Sequence, residues 1–129
     1  MLLSVSDLRT RFEVDEDELW PVNGVSFAVA AGETLGLVGE SGSGKSMVAL
    51  SIMDLVPSPG RVVAGEVAFE GLDLLSLGGA AKRKMRGGGI GMVFQDPAVS
   101  LNPVYRIGDQ IADVVAEDEI ELVVLLIRE

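Results

Sequence analysis

The sequence predicts an α/β fold that begins with an antiparallel β layer, and three observations support it. Two β-type segments near the start, residues 2–12 and 22–30, are separated by a polar stretch. A short apolar run, residues 34–38, leads into a glycine-rich loop. A helical pattern over residues 47–56 follows the loop. This succession of strand, loop and helix is typical of α/β domains.

The two β-type segments alternate apolar and polar residues, as half-buried strands do. In the second segment, Val25, Phe27 and Val29 fall on one face at period two. The acidic stretch 13–18 is predicted to be a loop, and residues 31–33 a tight turn. The pair therefore indicates an antiparallel layer. Three apolar residues of the first segment are expected to face the core: Leu3, Val5 and Leu8.

The elements after this layer are shorter and more apolar. Residues 34–38 predict a buried parallel strand, because such strands are apolar on both faces. The helix after the loop should end before the turn at residues 57–60, which holds two prolines. The later predictions are a strand over 65–69, a turn at 70–71, an undetermined stretch over 72–77, a basic glycine-rich segment over 78–89, a buried strand over 90–94, a polar loop over 95–103 and a helix over 105–116.

Composition excludes several classes of function. The 129 residues suffice for one domain, and with 48% apolar but 5% aromatic residues its core must be aliphatic. The chain has no cysteine and no histidine, which excludes disulfides, thiolate metal sites and a histidine general base. The net charge of −10 argues against nucleic acid as a partner, because phosphate attraction needs lysine and arginine.

No segment of the sequence predicts secretion or membrane insertion. Residues 1–10 lack the basic and apolar regions of a signal peptide. The apolar stretch 122–127 is far shorter than the roughly 20 residues that span a bilayer. We therefore expect a cytoplasmic chain that reaches the membrane only through a partner.

The glycine-rich loop, Gly39-Glu-Ser-Gly-Ser-Gly-Lys-Ser46, fits the pattern G-x-x-x-x-G-K-[ST] of a phosphate-binding loop. Its glycines let successive N–H groups converge on an anion, and the helix start adds its positive end. Lys45 would contact the β- and γ-phosphates, and the Ser46 hydroxyl suits Mg²⁺. A loop that binds nothing is the alternative. The predicted binding residues are Gly39, Glu40, Ser41, Gly42, Ser43, Gly44, Lys45 and Ser46.

Stretches around this loop resemble the ATP-binding subunits of ABC transporters, of the type that powers peptide or nickel importers. The resemblance implies a P-loop NTPase core that is incomplete, with residues 1–113 as the N-terminal part of the domain and 114–129 as a divergent tail. The similar stretches are Asn23-Gly-Val-Ser-Phe27, residues 32–46, Gly65-Glu-Val-Ala-Phe-Glu-Gly-Leu-Asp-Leu74, Met92-Val-Phe-Gln-Asp-Pro97 and Ser100-Leu-Asn-Pro103.

The resemblance also implies roles for residues outside the loop. Gln95 would contact Mg²⁺ or the attacking water, and its loop would contact a membrane permease subunit; the alternative is a glutamine that caps a strand. Phe12 would stack on the adenine of ATP, with Trp20 as second choice, unless Phe12 belongs to the core. The implied cofactors are ATP and Mg²⁺, the latter held by Ser46 and Gln95.

Several groups that the family uses for hydrolysis are missing from these 129 residues. No Leu-Ser-Gly-Gly-Gln signature is present, since Ser76-Leu-Gly-Gly79 has the wrong order and precedes Gln95. No apolar strand ends in Asp-Glu, because Arg128 stands where the aspartate would follow residues 122–127. The chain alone is therefore expected to be inactive as an ATPase.

The expected partners are permease subunits and a second ATP-binding subunit in a head-to-tail dimer. Through the permease the chain would lie on the inner face of the cell membrane. Two alternatives remain open: a nucleotide-binding remnant without catalysis, and a soluble P-loop kinase.

Overall fold

The computed structural model describes residues 1–94, 100–115 and 122–125. The chain forms two units, Met1–Leu77 and Gly78–Glu129. Gln95 lies outside the described residues.

The first unit is built on a four-stranded antiparallel sheet with the strand order β2-β1-β3-β4. The longest pairing in the sheet is between β1 and β2, so the predicted antiparallel layer is confirmed. Strand β3 pairs with the other edge of β1. Its strands are β1 (Leu3–Val14), β2 (Asp17–Val29), β3 (Arg61–Phe69) and β4 (Leu72–Asp73).

The buried face of β1 is maintained through a bulge. Leu3 and Val5 are buried at odd positions, whereas Leu8 and Thr10 are buried at even ones. The register shifts between Val5 and Leu8, which moves the following residues back to the core face. The predicted burial of Leu3, Val5 and Leu8 is therefore confirmed.

The acidic stretch between β1 and β2 is a hairpin end and not the predicted six-residue loop. Glu13 pairs with Glu18, which places two carboxylates opposite each other, an arrangement that destabilises a sheet. Arg11 compensates, because its guanidinium contacts Glu13 and lies 2.8 Å from Glu18, while Arg61 lies 2.9 Å from Glu13. The cationic neighbours allow pairing to continue to the two-residue turn at 15–16.

The helix α1 (Lys45–Ile52) follows the glycine-rich loop and packs against β2 and β3. It buries Val48, Ala49 and Ile52. The helix was predicted to run to residue 56, but it ends four residues earlier. Asp54 adopts φ +51°, a left-handed conformation that cannot continue an α-helix.

Residues 34–38 do not form the predicted strand. Within the described ranges they belong to no strand and no strand pairs with them. Leu35 and Leu37 are exposed, and Val38 is 86% exposed. The apolar pattern is typical of a strand that is buried between neighbouring strands. A strand also needs backbone hydrogen bonds to those neighbours, and the local pattern does not predict whether they are present.

The described residues of the second unit form a short parallel sheet and two helices. Strand β5 pairs in parallel with β6, from Ile90 opposite Leu122 to Val93 opposite Leu125. The strand expected over 90–94 and the helix expected over 105–116 are therefore confirmed, each slightly shortened. The strand is not buried throughout as predicted, because Val93 is 49% exposed. The bounds are α2 (Gly79–Gly88), β5 (Ile90–Val93), α3 (Ile107–Val115) and β6 (Leu122–Leu125). Across the described ranges, no helix has the length and apolarity needed to cross a bilayer.

Candidate phosphate-binding site

The glycine-rich loop curls because two of its residues adopt backbone conformations that favour glycine. Gly42 has φ +81° and Gly44 has φ +94°, both in the region that side chains disfavour. The N–H of Ser43 donates to the carbonyl oxygen of Glu40 at 3.1 Å, which closes a turn inside the loop. Gly44 then occupies the N-cap position of α1.

Close packing fixes two points of the loop. A Cβ atom at Gly44 would overlap the carbonyl oxygen of Pro21 and lie 3.2 Å from its carbon, so the end of the loop rests on the backbone of β2. A Cβ atom at Gly39 would lie 2.5 Å from the Ser43 Oγ. At Gly44 only glycine fits, because the overlapping atom belongs to the backbone, whereas a side chain at Gly39 would require the Ser43 side chain to rotate away.

Lys45 bonds to the loop that precedes it. Its Nζ donates to the carbonyl oxygen of Glu40 at 2.7 Å, to the Ser43 Oγ at 3.4 Å and to the carbonyl oxygen of Gly39. These three acceptors are neutral, so the bonds do not compensate the positive charge of the ammonium. The loop therefore holds a cation, whose N–H groups would exchange a loop acceptor for a phosphate oxygen when an anion enters.

The start of α1 adds further donors. Gly44 offers no side-chain cap, and the first turn of α1 contains no acidic residue. N–H groups at such a helix start suit an anion, since they have no partner within the helix. Together with Lys45, they form an arrangement that can hold a chain of phosphate groups.

Ser46 is the residue of this site that suits Mg²⁺. Its side chain is exposed at the start of α1, and a hydroxyl is a hard oxygen ligand. Among the residues that the structure describes, no cluster of three or more acidic or imidazole side chains could hold a free metal ion. A single hydroxyl supplies one of the several oxygen ligands that Mg²⁺ takes, so Ser46 could hold the ion only together with other oxygen atoms.

The two aromatic candidates lie on neighbouring strands of the first sheet. Phe12 is half-buried, and its ring covers Gly60 so closely that a Cβ atom there would overlap it. Trp20 is 40% exposed, and the Arg11 guanidinium lies 5.6 Å from the centre of its ring. Trp20 directly precedes Pro21, the residue against which the loop packs.

Sequence reasoning missed three features of this unit: the Pro21 carbonyl under Gly44, the Arg11 guanidinium beside Trp20, and a buried hydroxyl pair, Thr10 and Ser51. The hydroxyl pair could have been found from the sequence, because Thr10 and Ser51 stand at positions of β1 and α1 where the pattern predicts an apolar residue.

A separate cluster on the surface has a structural role. The hydrogen bond from Arg9 to Asp7, and the attraction between the two charges, raise the pKa of Arg9 further above its already high value.

The sequence model of a family described as ABC transporter matches residues 22–126. The dipeptide transport ATP-binding protein DppD of Haemophilus influenzae is 47% identical over 118 residues, which are 92% of this chain and 36% of that protein. The oligopeptide transport ATP-binding protein OppD of Bacillus subtilis is 46% identical, over 92% of this chain and 33% of that protein. The chain thus spans about a third of the length of these relatives.

Solved structures show the same fold. The dimeric structure of MJ0796, described as a bacterial ABC transporter cassette, matches with a TM-score of 0.70 and 25% identity, covering 80% of this chain and 42% of that one. A second structure of MJ0796, bound to ADP and Pi, matches with a TM-score of 0.65 and 19% identity, over 88% of this chain and 54% of that one. From the family match over most of its length, we conclude that the chain belongs to the ABC transporter family.

Proposed function

We propose that the chain binds Mg-ATP through residues 39–46 and is the nucleotide-binding part of an ATPase subunit that energises import of peptides or nickel. The observation that carries the proposal is the geometry of the glycine-rich loop. Lys45, the first residue of α1, donates hydrogen bonds to two backbone carbonyl oxygens of this loop. Nucleotide binding is supported by the likeness to MJ0796, whose second structure is described as bound to ADP and Pi.

The substrate class is supported by the relatives. Two of them are named as dipeptide and oligopeptide transport proteins, at 47% and 46% identity. Nickel rests on the sequence pattern around Gln95 alone. In this proposal, permease subunits contact the Gln95 loop and hold the subunit on the inner face of the membrane, while a second ATP-binding subunit faces the phosphate loop.

Each residue of the site has a proposed task. The loop amides and Lys45 bind the phosphates, and Ser46 with Gln95 would hold Mg²⁺, which supplies charge neutralisation at the phosphates when bound. Gln95 would also orient the attacking water, because an amide both donates and accepts hydrogen bonds. In the complete subunit these residues would support ATP hydrolysis.

Replacing Lys45 with alanine tests the proposal. A charge-assisted hydrogen bond contributes about 1.5–3 kcal/mol, and its loss should raise the Kd for Mg-ATP by roughly 10- to 150-fold. Isothermal titration calorimetry on the wild-type and Lys45→Ala chains measures this directly.

The matched control is Lys84→Ala, which removes the same charge from an exposed position on α2. It should bind Mg-ATP with the wild-type Kd, because net charge alone does not hold the nucleotide. Equal affinities for the wild type and Lys45→Ala would rule out the phosphate loop as the binding site.

Phe12→Ala is expected to weaken binding of Mg-ATP while inorganic triphosphate binds as before. A stacked base contributes about 1–3 kcal/mol, and triphosphate carries no base to stack. The two Kd values, measured for both ligands by calorimetry, separate base contacts from phosphate contacts.

Trp20→Ala serves as the comparison variant, since Trp20 is the other aromatic candidate. If Trp20→Ala reproduces the selective loss and Phe12→Ala does not, the base stacks on Trp20. If Phe12→Ala weakens both ligands equally, Phe12 acts through its packing on Gly60 and not through the base.

A further inference from the structure

Two buried hydroxyl groups join the sheet of the first unit to the helix after the phosphate loop. Thr10 on β1 and Ser51 on α1 each have an exposed fraction of 0%, and in the described part of the chain they are the buried polar residues. Their oxygen atoms lie 2.6 Å apart. A hydroxyl in an apolar core costs free energy unless it is hydrogen-bonded, so this pairing has to be kept in the folded chain.

The direction of the hydrogen bonds follows from the number of protons. The Ser51 Oγ donates to the carbonyl oxygen of Met47 at 2.6 Å. A serine hydroxyl has one proton to donate, so Ser51 accepts the proton of Thr10. The result is a continuous chain from Thr10 through Ser51 to Met47.

The two ends of this series of hydrogen bonds lie on the sheet and on the helix after the phosphate loop. Thr10 belongs to β1, the strand that pairs with both β2 and β3. Met47 lies in the first turn of α1, two residues after Lys45 and one after Ser46. The hydrogen bonds therefore connect an inner strand of the sheet to the turn that carries the phosphate-contacting residues.

Within the described part of the chain, the bond between Thr10 and Ser51 is the directional contact that joins α1 to the sheet. The helix has eight residues, no side-chain N-cap, no acidic residue in its first turn and no basic residue in its last. Its buried apolar residues, Val48, Ala49 and Ile52, resist separation from the sheet, but the hydrophobic effect is non-directional. A hydrogen bond weakens steeply with angle, so it restricts the rotation and sliding of the helix.

We propose that Thr10 and Ser51 are positioning residues, which hold α1 so that Lys45 and the first-turn amides meet the phosphate chain in the binding geometry. The proposal rests on the proposed function of the loop. The packing of Gly44 on Pro21 fixes the start of the helix, and the hydroxyl chain fixes its rotation over the sheet.

Thr10→Val tests the proposal, because valine keeps the shape of threonine and removes the hydroxyl. The Kd for Mg-ATP and the Kd for inorganic triphosphate should both rise by roughly 3- to 10-fold, the effect of one lost hydrogen bond. Thr10→Ser is the matched control, which keeps the hydroxyl and removes the methyl group, and it should stay within about twofold of the wild type. Affinities are measured by calorimetry where circular dichroism shows each variant fully folded, so that a loss of stability alone does not change them.

Several outcomes would contradict the proposal. Wild-type affinity in a folded Thr10→Val would show that the hydroxyl pair serves stability alone. An equal loss in Thr10→Ser would assign the effect to the methyl group. If Thr10→Val does not fold, Ser51→Ala breaks the same bond from the helix side. If neither of these variants folds while Thr10→Ser does, the bond is needed for folding and the positioning role is wrong. A wild-type chain that binds no Mg-ATP would instead refute the function of the loop itself.

Discussion

Gly44→Ala should abolish measurable Mg-ATP binding and should destabilise the first unit. Gly44 has φ +94°, and a Cβ atom there would overlap the carbonyl oxygen of Pro21. The Pro21 atoms that this Cβ would meet are all backbone atoms, which cannot rotate away as a side chain can. The loop and the start of α1 must therefore move away from β2. A hydrogen bond weakens steeply when its geometry is distorted, and here the amides and Lys45 move together. Calorimetry and urea denaturation measure the two effects.

Gly42→Ala separates backbone strain from steric overlap. Gly42 has φ +81°, but a Cβ atom there meets nothing within 4 Å. This variant should lose only about 1–2 kcal/mol of unfolding free energy, the cost of a left-handed side chain, and should retain detectable nucleotide binding. Gly44→Ala binding Mg-ATP as well as Gly42→Ala would mean that the contact with Pro21 does not shape the site.

A polypeptide of these 129 residues should not turn over ATP above background. Hydrolysis needs a positioned water and stabilisation of the charge that develops on the γ-phosphate. The family resemblance implies a carboxylate after the Mg²⁺-binding aspartate, a signature loop from a partner and a histidine, and these residues include none of the three motifs. Each missing electrostatic group costs about 10²–10³-fold in rate.

Steady-state phosphate release by the purified chain tests this expectation. Residual release should be the same in the wild type and in Lys45→Ala, because it then comes from background hydrolysis. Release that is well above background and disappears in Lys45→Ala would show that another carboxylate of the chain has been recruited as the base.

The parts of the fold that could be predicted are those that local pattern determines. The alternation in β2 and the apolar residues of β1 placed both strands, and the turn at 70–71 was marked by Gly71, which has φ +82°. The bulge between Val5 and Leu8 could not be predicted. It depends on Gly65 of β3, where a Cβ atom would lie 2.5 Å from the Leu8 Cα.

Longer-range contacts explain the expectations that failed. The strands β1 and β2 stay paired further into the acidic stretch than its sequence suggests, because Arg61 of a third strand neutralises Glu13. Residues 34–38 have the composition of a buried strand, but a strand is defined by partners elsewhere in the chain. Spacing revealed the glycines, Lys45 and Ser46 of the site, whereas the support from Pro21 depends on packing between elements.

An amide NMR titration of the nitrogen-15-labelled chain is the most direct test of whether Mg-ATP binds in the glycine-rich loop. Saturation at one nucleotide per chain is predicted, with the largest shifts at the amides of residues 39–46 and smaller ones along α1. Shifts centred on the basic helix α2, or no shifts at saturating Mg-ATP, would contradict the assignment.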